Sequence, residues 1–370
     1  MPARNFAGKL HLAPSAALML ISLTQPAAAI AATGTITRVS VDSNGNQAIS
    51  DGGPGRGSGT PLISADGRYV AFSSRSSNLA GVDSSFFLFP DIYLHDRLTG
   101  VTSRISDDAN GKRAYANGGL SLSADGRFVA FSPSLGEAVG CDKGAIFGLV
   151  VHDNQTGQKT CIPKATGALY SALSADGRYV AFSGASGLVT DDTNGISDVF
   201  VHDLQTGVTR RVSVDSAGNQ AAKTAYSVLG STYPSISADG RYVVFESAAG
   251  DFVAEDLNNR DDIFVHDTQT GVTSLISVSS SGIQGNSHSE RPSMSADGRY
   301  IAFDSDAYNL VPGRSSNFRD VYVHDRQTHE TTRVSVDSAG KLANRSSEAP
   351  RSRLTDATSH LHPRQRTLRP

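Results

Sequence analysis

One phrase constrains this chain more than any other, because it returns five times. It reads SADGRYVAF at residues 64–72, SADGRFVAF at 123–131 and SADGRYVAF at 174–182, then SADGRYVVF at 237–245 and SADGRYIAF at 295–303. Its aspartates, Asp66, Asp125, Asp176, Asp239 and Asp297, are separated by steps of 59, 51, 63 and 58. A second phrase follows each copy: DIYLHDRLTG (91–100), LVVHDNQTG (149–157), DVFVHDLQTG (198–207), DIFVHDTQTG (262–271) and DVYVHDRQTH (320–329). A third closes the unit, as in TRRVSVDSAGNQA at 209–221. Self-similarity at this period means units that bury their faces against one another.

The phrases read as strands and turns. Asp-Gly is a hairpin signal, since glycine tolerates positive φ. In the strand after it, Val70 and Phe72 face one way and Tyr69 and Ala71 the other. Ile92 and Leu94 likewise oppose Tyr93 and His95. Apolar residues on both faces require both faces to be covered. D-x-x-T-G is the next turn, and a fourth strand such as VTSRIS follows. Four antiparallel strands per unit, buried on both faces, fit a propeller blade. The predicted fold is all-β, with five full blades over 59–107, 118–163, 169–215, 232–279 and 291–337, inside a propeller of 35–343. TITRVSV (35–41) matches a fourth strand with no blade before it and is read as an orphan strand of an incomplete sixth.

The first residues differ. Arg4 and Lys9 precede an apolar run at 13–23 and small-residue cleavage sites at Ala27-Ala28-Ala29 or Ala29-Ile30-Ala31. This is the pattern of a signal peptide, 1–31, and the run is too short to span a membrane. The expected product is exported, periplasmic or extracellular, monomeric and without a membrane span. A net charge of −3 excludes global basic character. Cys141 and Cys161 pair as a disulfide in an oxidising compartment or remain two buried thiols. Both lie in the second unit, where Gly148 replaces the aspartate that opens the third strand and CIPKAT (161–166) replaces the R-V-S-V strand.

These blades resemble the WD-repeat-like blades of the TolB family of exported β-propellers, whose signature is S-x-D-G, an apolar strand, then I-[YF]-V-x-D-x-x-T-G. The resemblance covers 35 to about 343 and implies the blade fold. It departs from true WD repeats in having no Trp. It names no activity, since the same blades serve interaction proteins, peptidase-associated propellers and lyases.

Residues 351–370, RSRLTDATSHLHPRQRTLRP, break the pattern with five arginines and no apolar period. Their codons, read one base out of register, permit Ser, Ala, Asp, Gly, Arg, Tyr, Val, Ala and Phe in order, which is the repeat phrase. The reading implies one base lost or miscalled near the Pro350 codon, a frameshifted disordered tail, and no nucleic-acid-binding arm.

The His-Asp pair recurs at His95, His152, His202, His266 and His324. Five equivalent copies on five blades cannot converge on one bond, so they are read as structural, the aspartate capping its turn and the histidine bonding across the blade. The repeated arginines, such as Arg68, are expected to pair with neighbouring aspartates from blade to blade. Asp192, Asn194 and Asp198 faintly resemble a calcium loop without completing its pattern; no other cofactor is expected. His288, Glu290 and Arg291, with Lys112 and Tyr115, break the repeat without a catalytic spacing. The chain therefore reads as a non-enzymatic binding scaffold for a protein or a cell-envelope glycan or lipoprotein. The alternatives are a propeller polysaccharide lyase or glycosidase with a site in the central channel, and a truncated, partly functional product.

Overall fold

The computed structural model describes residues 36–49, 57–80, 90–107, 116–133, 148–165, 167–185, 187–222, 230–313, 318–343 and 346–347. The expectations for 1–31, for 351–370, and for Lys112, Tyr115 and Cys141 lie outside these residues. The chain divides into two units, Met1–Arg38 and Val39–Pro370, and every described strand belongs to the second. No described helix is long and apolar enough to cross a membrane.

Twenty strands form five four-stranded antiparallel sheets, each built from consecutive strands. Blade 1 is β1 (Ser58–Ile63), β2 (Tyr69–Ser74), β3 (Asp91–Asp96) and β4 (Thr102–Arg104). Blade 2 is β5 (Ala116–Leu122), β6 (Phe128–Pro133), β7 (Leu149–Asp153) and β8 (Lys159–Ile162). Blade 3 is β9 (Ser171–Leu173), β10 (Tyr179–Gly184), β11 (Asp198–Asp203) and β12 (Val208–Arg211). Blade 4 is β13 (Ser231–Ile236), β14 (Tyr242–Ser247), β15 (Asp262–Asp267) and β16 (Thr273–Leu275). Blade 5 is β17 (Ser289–Met294), β18 (Tyr300–Ser305), β19 (Asp320–Asp325) and β20 (Glu330–Arg333). The first strands of successive blades neighbour one another, so they are the innermost. This is a β-propeller.

Each sheet divides its faces between two cores. Ala71, Ile92 and Leu94 of blade 1 meet Val129, Phe131 and Val150 of blade 2. The opposite face of blade 2, with Ala130 and Val151, meets Val180, Phe182 and Phe200 of blade 3. Blades 3 and 4 join through Val199, Val201, Val243 and Phe245, and blades 4 and 5 through Val244, Val265, Ile301 and Phe303. A small or branched face therefore always receives an aromatic one, which is what lets sheets approach closely.

The repeat phrase builds its own turn. Asp66 accepts from Ser64 Oγ at 2.6 Å and from the Arg68 N–H at 2.9 Å, while Ser64 Oγ accepts from the Tyr69 N–H at 2.9 Å. The other four copies repeat these bonds. The turn glycine lies at positive φ, and from the second blade onward the preceding blade presses on it. A Cβ on Gly177 would sit 2.1 Å from the ring of Phe128, and one on Gly240 2.2 Å from that of Tyr179. Only glycine meets both demands. The alanines of successive turns are also linked: Ala65 N–H to Ala124 O, Ala124 to Ala175, Ala175 to Ala238, and Ala238 to Ala296.

A second junction ties the blades at their outer strands. In blade 4, Thr273 Oγ1 donates to the Val214 carbonyl of blade 3 at 2.5 Å, and the Thr273 N–H reaches Ser216 Oγ at 3.0 Å. His266 Nδ1 contacts the same hydroxyl at 2.9 Å. The hydroxyl proton is committed to the carbonyl, so the ring nitrogen is the donor. His324 and Thr331 repeat this on Val278, and His95 and Thr102 on Val41. Blade 2 departs in a paired way. Lys159 stands where the threonine belongs and Asp107 where the valine belongs, and the two form an ion pair at 3.3 Å. His152 Nδ1 then lacks a hydrogen-bond partner among the described residues.

Two expectations are corrected. Residues 36–40 form no strand; Val41 makes an isolated bridge with Gln47, matching Val214 with Gln220 and Val278 with Gln284. No third strand lies beside 36–40 among the described residues, so no fourth-strand pairing forms there; the loop that follows closes through Asp42, which accepts from the Asn44 and Asn46 N–H groups, as Asp215 closes the loop after β12. The repeated arginines do not bridge blades either. Arg68 grips Asp96 of its own sheet with two bonds, of 3.0 and 2.8 Å. The β2–β3 register, which sets Tyr69 opposite Asp96, brings the two side chains together.

Replacing Thr273 by the isosteric valine should strand the Val214 carbonyl and the His266 ring nitrogen without partners. The expected loss is about 1–3 kcal/mol, read by urea unfolding; an unchanged midpoint would show that the junction adds nothing.

Candidate site on the inner strands of blades 3 to 5

The first strand of most blades carries a bulge. Register slips between Gly59 and Leu62, Thr232 and Ser235, and Glu290 and Ser293. The residue at the slip has positive φ: Thr60 at 45°, Tyr233 at 50° and Arg291 at 53°. Bulges re-aim side chains, and here the residue before the slip is paired with one column of the second strand. In blades 1 and 2 that pair is Gly59 with Ser73 and Gly118 with Ser132. In blades 4 and 5 it becomes Thr232 with Glu246 and Glu290 with Asp304. The repeat thus turns from small and neutral to charged at one place.

Glu246 joins two blades. Its Oε1 accepts from Thr232 Oγ1 at 2.9 Å, and its Oε2 from the Arg291 N–H of blade 5 at 2.8 Å. Burial pushes its carboxyl up to about 7, against these two hydrogen bonds. Arg319, just before β19, donates to Glu290 at 3.0 Å, to Asp304 at 3.1 Å and to Asp306 at 2.6 Å. That clamp raises the guanidinium further above its ordinary value, the Glu290 hydrogen bond being the largest cause. Asp304 is pushed up to about 6 by burial although Arg291 and Arg319 oppose the shift. His288 Nδ1 lies 2.7 Å from Asp261 Oδ2. On the blade 3 side, the Tyr170 hydroxyl donates to that of Tyr233 at 2.8 Å, with ring centroids 3.9 Å apart. Burial, then the Tyr170 bond, lifts the Tyr233 hydroxyl above its usual range.

His288, Glu290 and Arg291 are therefore brought together, and with them residues that the sequence did not single out: Tyr170, Tyr233, Glu246, Asp261, Asp304, Asp306 and Arg319. The signal available was the column of Ser73, Ser132 and Ser183, which holds Glu246 and Asp304 in the last two blades. One ligand atom each from Asp261, His288 and Glu290 lies within 4.8 Å of the others. Glu290 is already held by Arg319 and His288 by Asp261, so the trio reads as part of the ion-pair network.

The other sequence candidates are placed elsewhere. Asp96, Asp153, Asp203, Asp267 and Asp325 each take two bonds from the arginine of their own blade, and that arginine holds the carboxyl below the ordinary range; Asp153 is lowered to about 2. Burial lowers the five repeated histidines, His152 and His324 to about 4. Asp192 Oδ2 accepts from the Gly187 N–H, Asn194 Oδ1 from the Ile196 N–H, and Asp198 Oδ1 from Ser213 Oγ. Each of these three oxygens takes a protein donor, while Asp192 Oδ1 is buried without a hydrogen-bond partner among the described residues. Cys161 is disulfide-bonded. An open groove of about 550 Å³ at the blade 3–4 junction, lined by Ser216, Asp251, Phe252 and Thr273 among others, shares no residue with the inner patch.

No protein-family model matches the sequence, and no curated protein does. Solved structures do. TolB from Acinetobacter baumannii is 18% identical with a TM-score of 0.44, over 74% of this chain and 53% of that one. The putative TolB from Agrobacterium tumefaciens is 16% identical with a TM-score of 0.46, over 75% and 79%. The β-propeller domain of the Trilobed protease from Pyrococcus furiosus is 13% identical with a TM-score of 0.48, over 80% and 75%. The chain spans about half the length of the Acinetobacter protein.

Glu246 titrates in the fold near 7, above its ordinary 4.5. Its ionisation therefore costs stability, a cost absent below about pH 4.5 and complete above about pH 7. Between pH 5 and pH 8 Glu246→Gln should gain about 2–3 kcal/mol on the parent chain, measured by urea unfolding at both pH values. Parallel pH profiles would refute the assignment.

Proposed function

We propose that this chain is an exported, non-enzymatic propeller scaffold that binds a cell-envelope glycan across the inner strands of blades 3 to 5. One observation carries the reading: on the inner strands the repeat gives way to a set of charged and aromatic side chains at that one place. The Tyr170–Tyr233 pair offers stacking faces and hydroxyls, and the rim of carboxylates and Arg291 offers hydrogen-bonding groups of both kinds. The carboxylates are engaged by protein donors: Glu246 by Thr232 and Arg291, Asp261 by His288, and Glu290, Asp304 and Asp306 by Arg319. A preorganised, internally satisfied network suits recognition. Export rests on the basic, apolar and small-residue sequence of 1–31, and a monomer is the expected state.

The enzymatic reading, a propeller lyase or glycosidase, is favoured by Glu246, whose carboxyl burial pushes up to about 7, as a general acid requires, with Asp304 of the same patch raised to about 6.

Purified peptidoglycan sacculi should sediment the protein, and Tyr170→Ala with Tyr233→Ala should weaken that binding at least about 10-fold while leaving the fold melting cooperatively. Equal binding by the double variant would overturn the site. Release of reducing ends from sacculi, or of unsaturated product from uronate polymers, that Glu246→Gln abolishes would replace the scaffold with the enzyme.

A further inference from the structure

The segment 39–48 sits on blade 1 as the end of a blade that would precede it. Val39 and Ala48 pack on Val70, Phe72 and Tyr93. Val212 and Ala221, which close blade 3, belong in the same way to the core with Val243, Phe245 and Phe264. Thr102 Oγ1 donates to the Val41 carbonyl at 2.6 Å and the Thr102 N–H donates to Ser43 Oγ at 3.0 Å, just as Thr273 bonds Val214 and Ser216. At the other end, the Ser347 N–H donates to the Arg319 carbonyl at 2.8 Å. Ser289 and Ser231, the first residues of β17 and β13, make that bond to Asp261 and Ser197. Ser347 thus occupies the first position of another inner strand.

Between these two ends, groups of blades 1 and 5 lack, among the described residues, the partners that the other junctions supply. The alanine relay among the described residues ends on the Ala65 carbonyl and the Ala296 N–H. Gly126, Gly177, Gly240 and Gly298 each lie against an aromatic ring of the preceding blade, whereas the site above Gly67 meets only Arg97 and Ile63. Ile63 is 53% exposed, while Leu122, Leu173, Ile236 and Met294 at its position are buried.

We propose that the space between blade 5 and blade 1 is a docking site for three antiparallel strands bearing this chain's own repeat, entered at Ser347 and closed by 39–48. The occupant is the segment read one base out of register from codon 351 onward. The alanine of its turn would bridge Ala296 and Ala65, its tyrosine would cover Gly67, and the strand face that carries this tyrosine and the alanine two residues on would cover Ile63 and Phe72, as Tyr69 and Ala71 do in the core shared with blade 2. A second copy of this chain, pairing through the edge of β1, is the competing occupant.

The test replaces residues 348–370 with a copy of residues 290–329, keeping the rest of the chain. The melting temperature should rise by about 10 °C or more, and the amides of 58–63 should exchange at least about 10-fold more slowly. Changing the copied tyrosine, the one taken from Tyr300, to serine should forfeit most of that gain. If the extended chain does not fold, a peptide of residues 290–329 added to the parent chain should protect the same amides. No added protection from either form overturns the proposal. So does a parent chain that sediments as a dimer with residues 58–63 already protected, which would assign the surface to a second copy.

Discussion

The structure depends on one close approach, the turn glycine of each blade lying beneath an aromatic ring of the blade before. A Cβ there would come within about 2–3 Å of ring carbons at Gly126, Gly177, Gly240 and Gly298. The ring is fixed in turn by the arginine that precedes it, whose guanidinium stacks 4.7 Å from the ring centroid at Tyr69, Phe128 and Tyr179. That same arginine grips the His-Asp aspartate of its own sheet. One phrase therefore sets the turn, the packing of the next blade and the clamp between second and third strands. It cannot drift in one unit without disturbing its neighbour, and so it recurs nearly unchanged.

Blade 2 shows what happens when the pattern does change. Gly148 replaces a buried aspartate, and Pro163 stands where Ser106, Ser213, Ser277 and Ser335 bond that aspartate in the other blades. Both partners go together, which avoids an unpaired buried carboxylate. The Lys159–Asp107 pair likewise replaces a hydroxyl and a carbonyl with a cation and an anion. Substitution here follows contacts rather than positions.

The fold was legible because its information is periodic: Val70 against Tyr69, Ile92 against Tyr93, and Asp66 beside Gly67 can each be read within one phrase. TITRVSV reads as a fourth strand from its likeness to the others, but it forms no ladder over 36–40, because pairing depends on a sheet that the segment itself does not contain. The inner patch was legible only in part. His288, Glu290 and Arg291 are adjacent in sequence and visibly break the repeat. Glu246 and Arg319 lie 45 and 29 residues from Arg291 and Glu290, the groups they hold, and only the bulge and the blade-to-blade approach bring them together. Burial, which moves Glu246 toward 7, cannot be read from an acid's identity.

The alanine relay has a direction. Each turn donates its N–H to the following blade and accepts from the preceding one, so every junction is head-to-tail. A head-to-tail contact carries no instruction about how many units follow. The count is set by geometry, through the wedge angle between neighbouring sheets and the point at which donor and acceptor ends meet. A whole unit duplicated or deleted would find the same alanine relay on either side, so as far as that contact goes propellers of this kind can change size in steps of one blade.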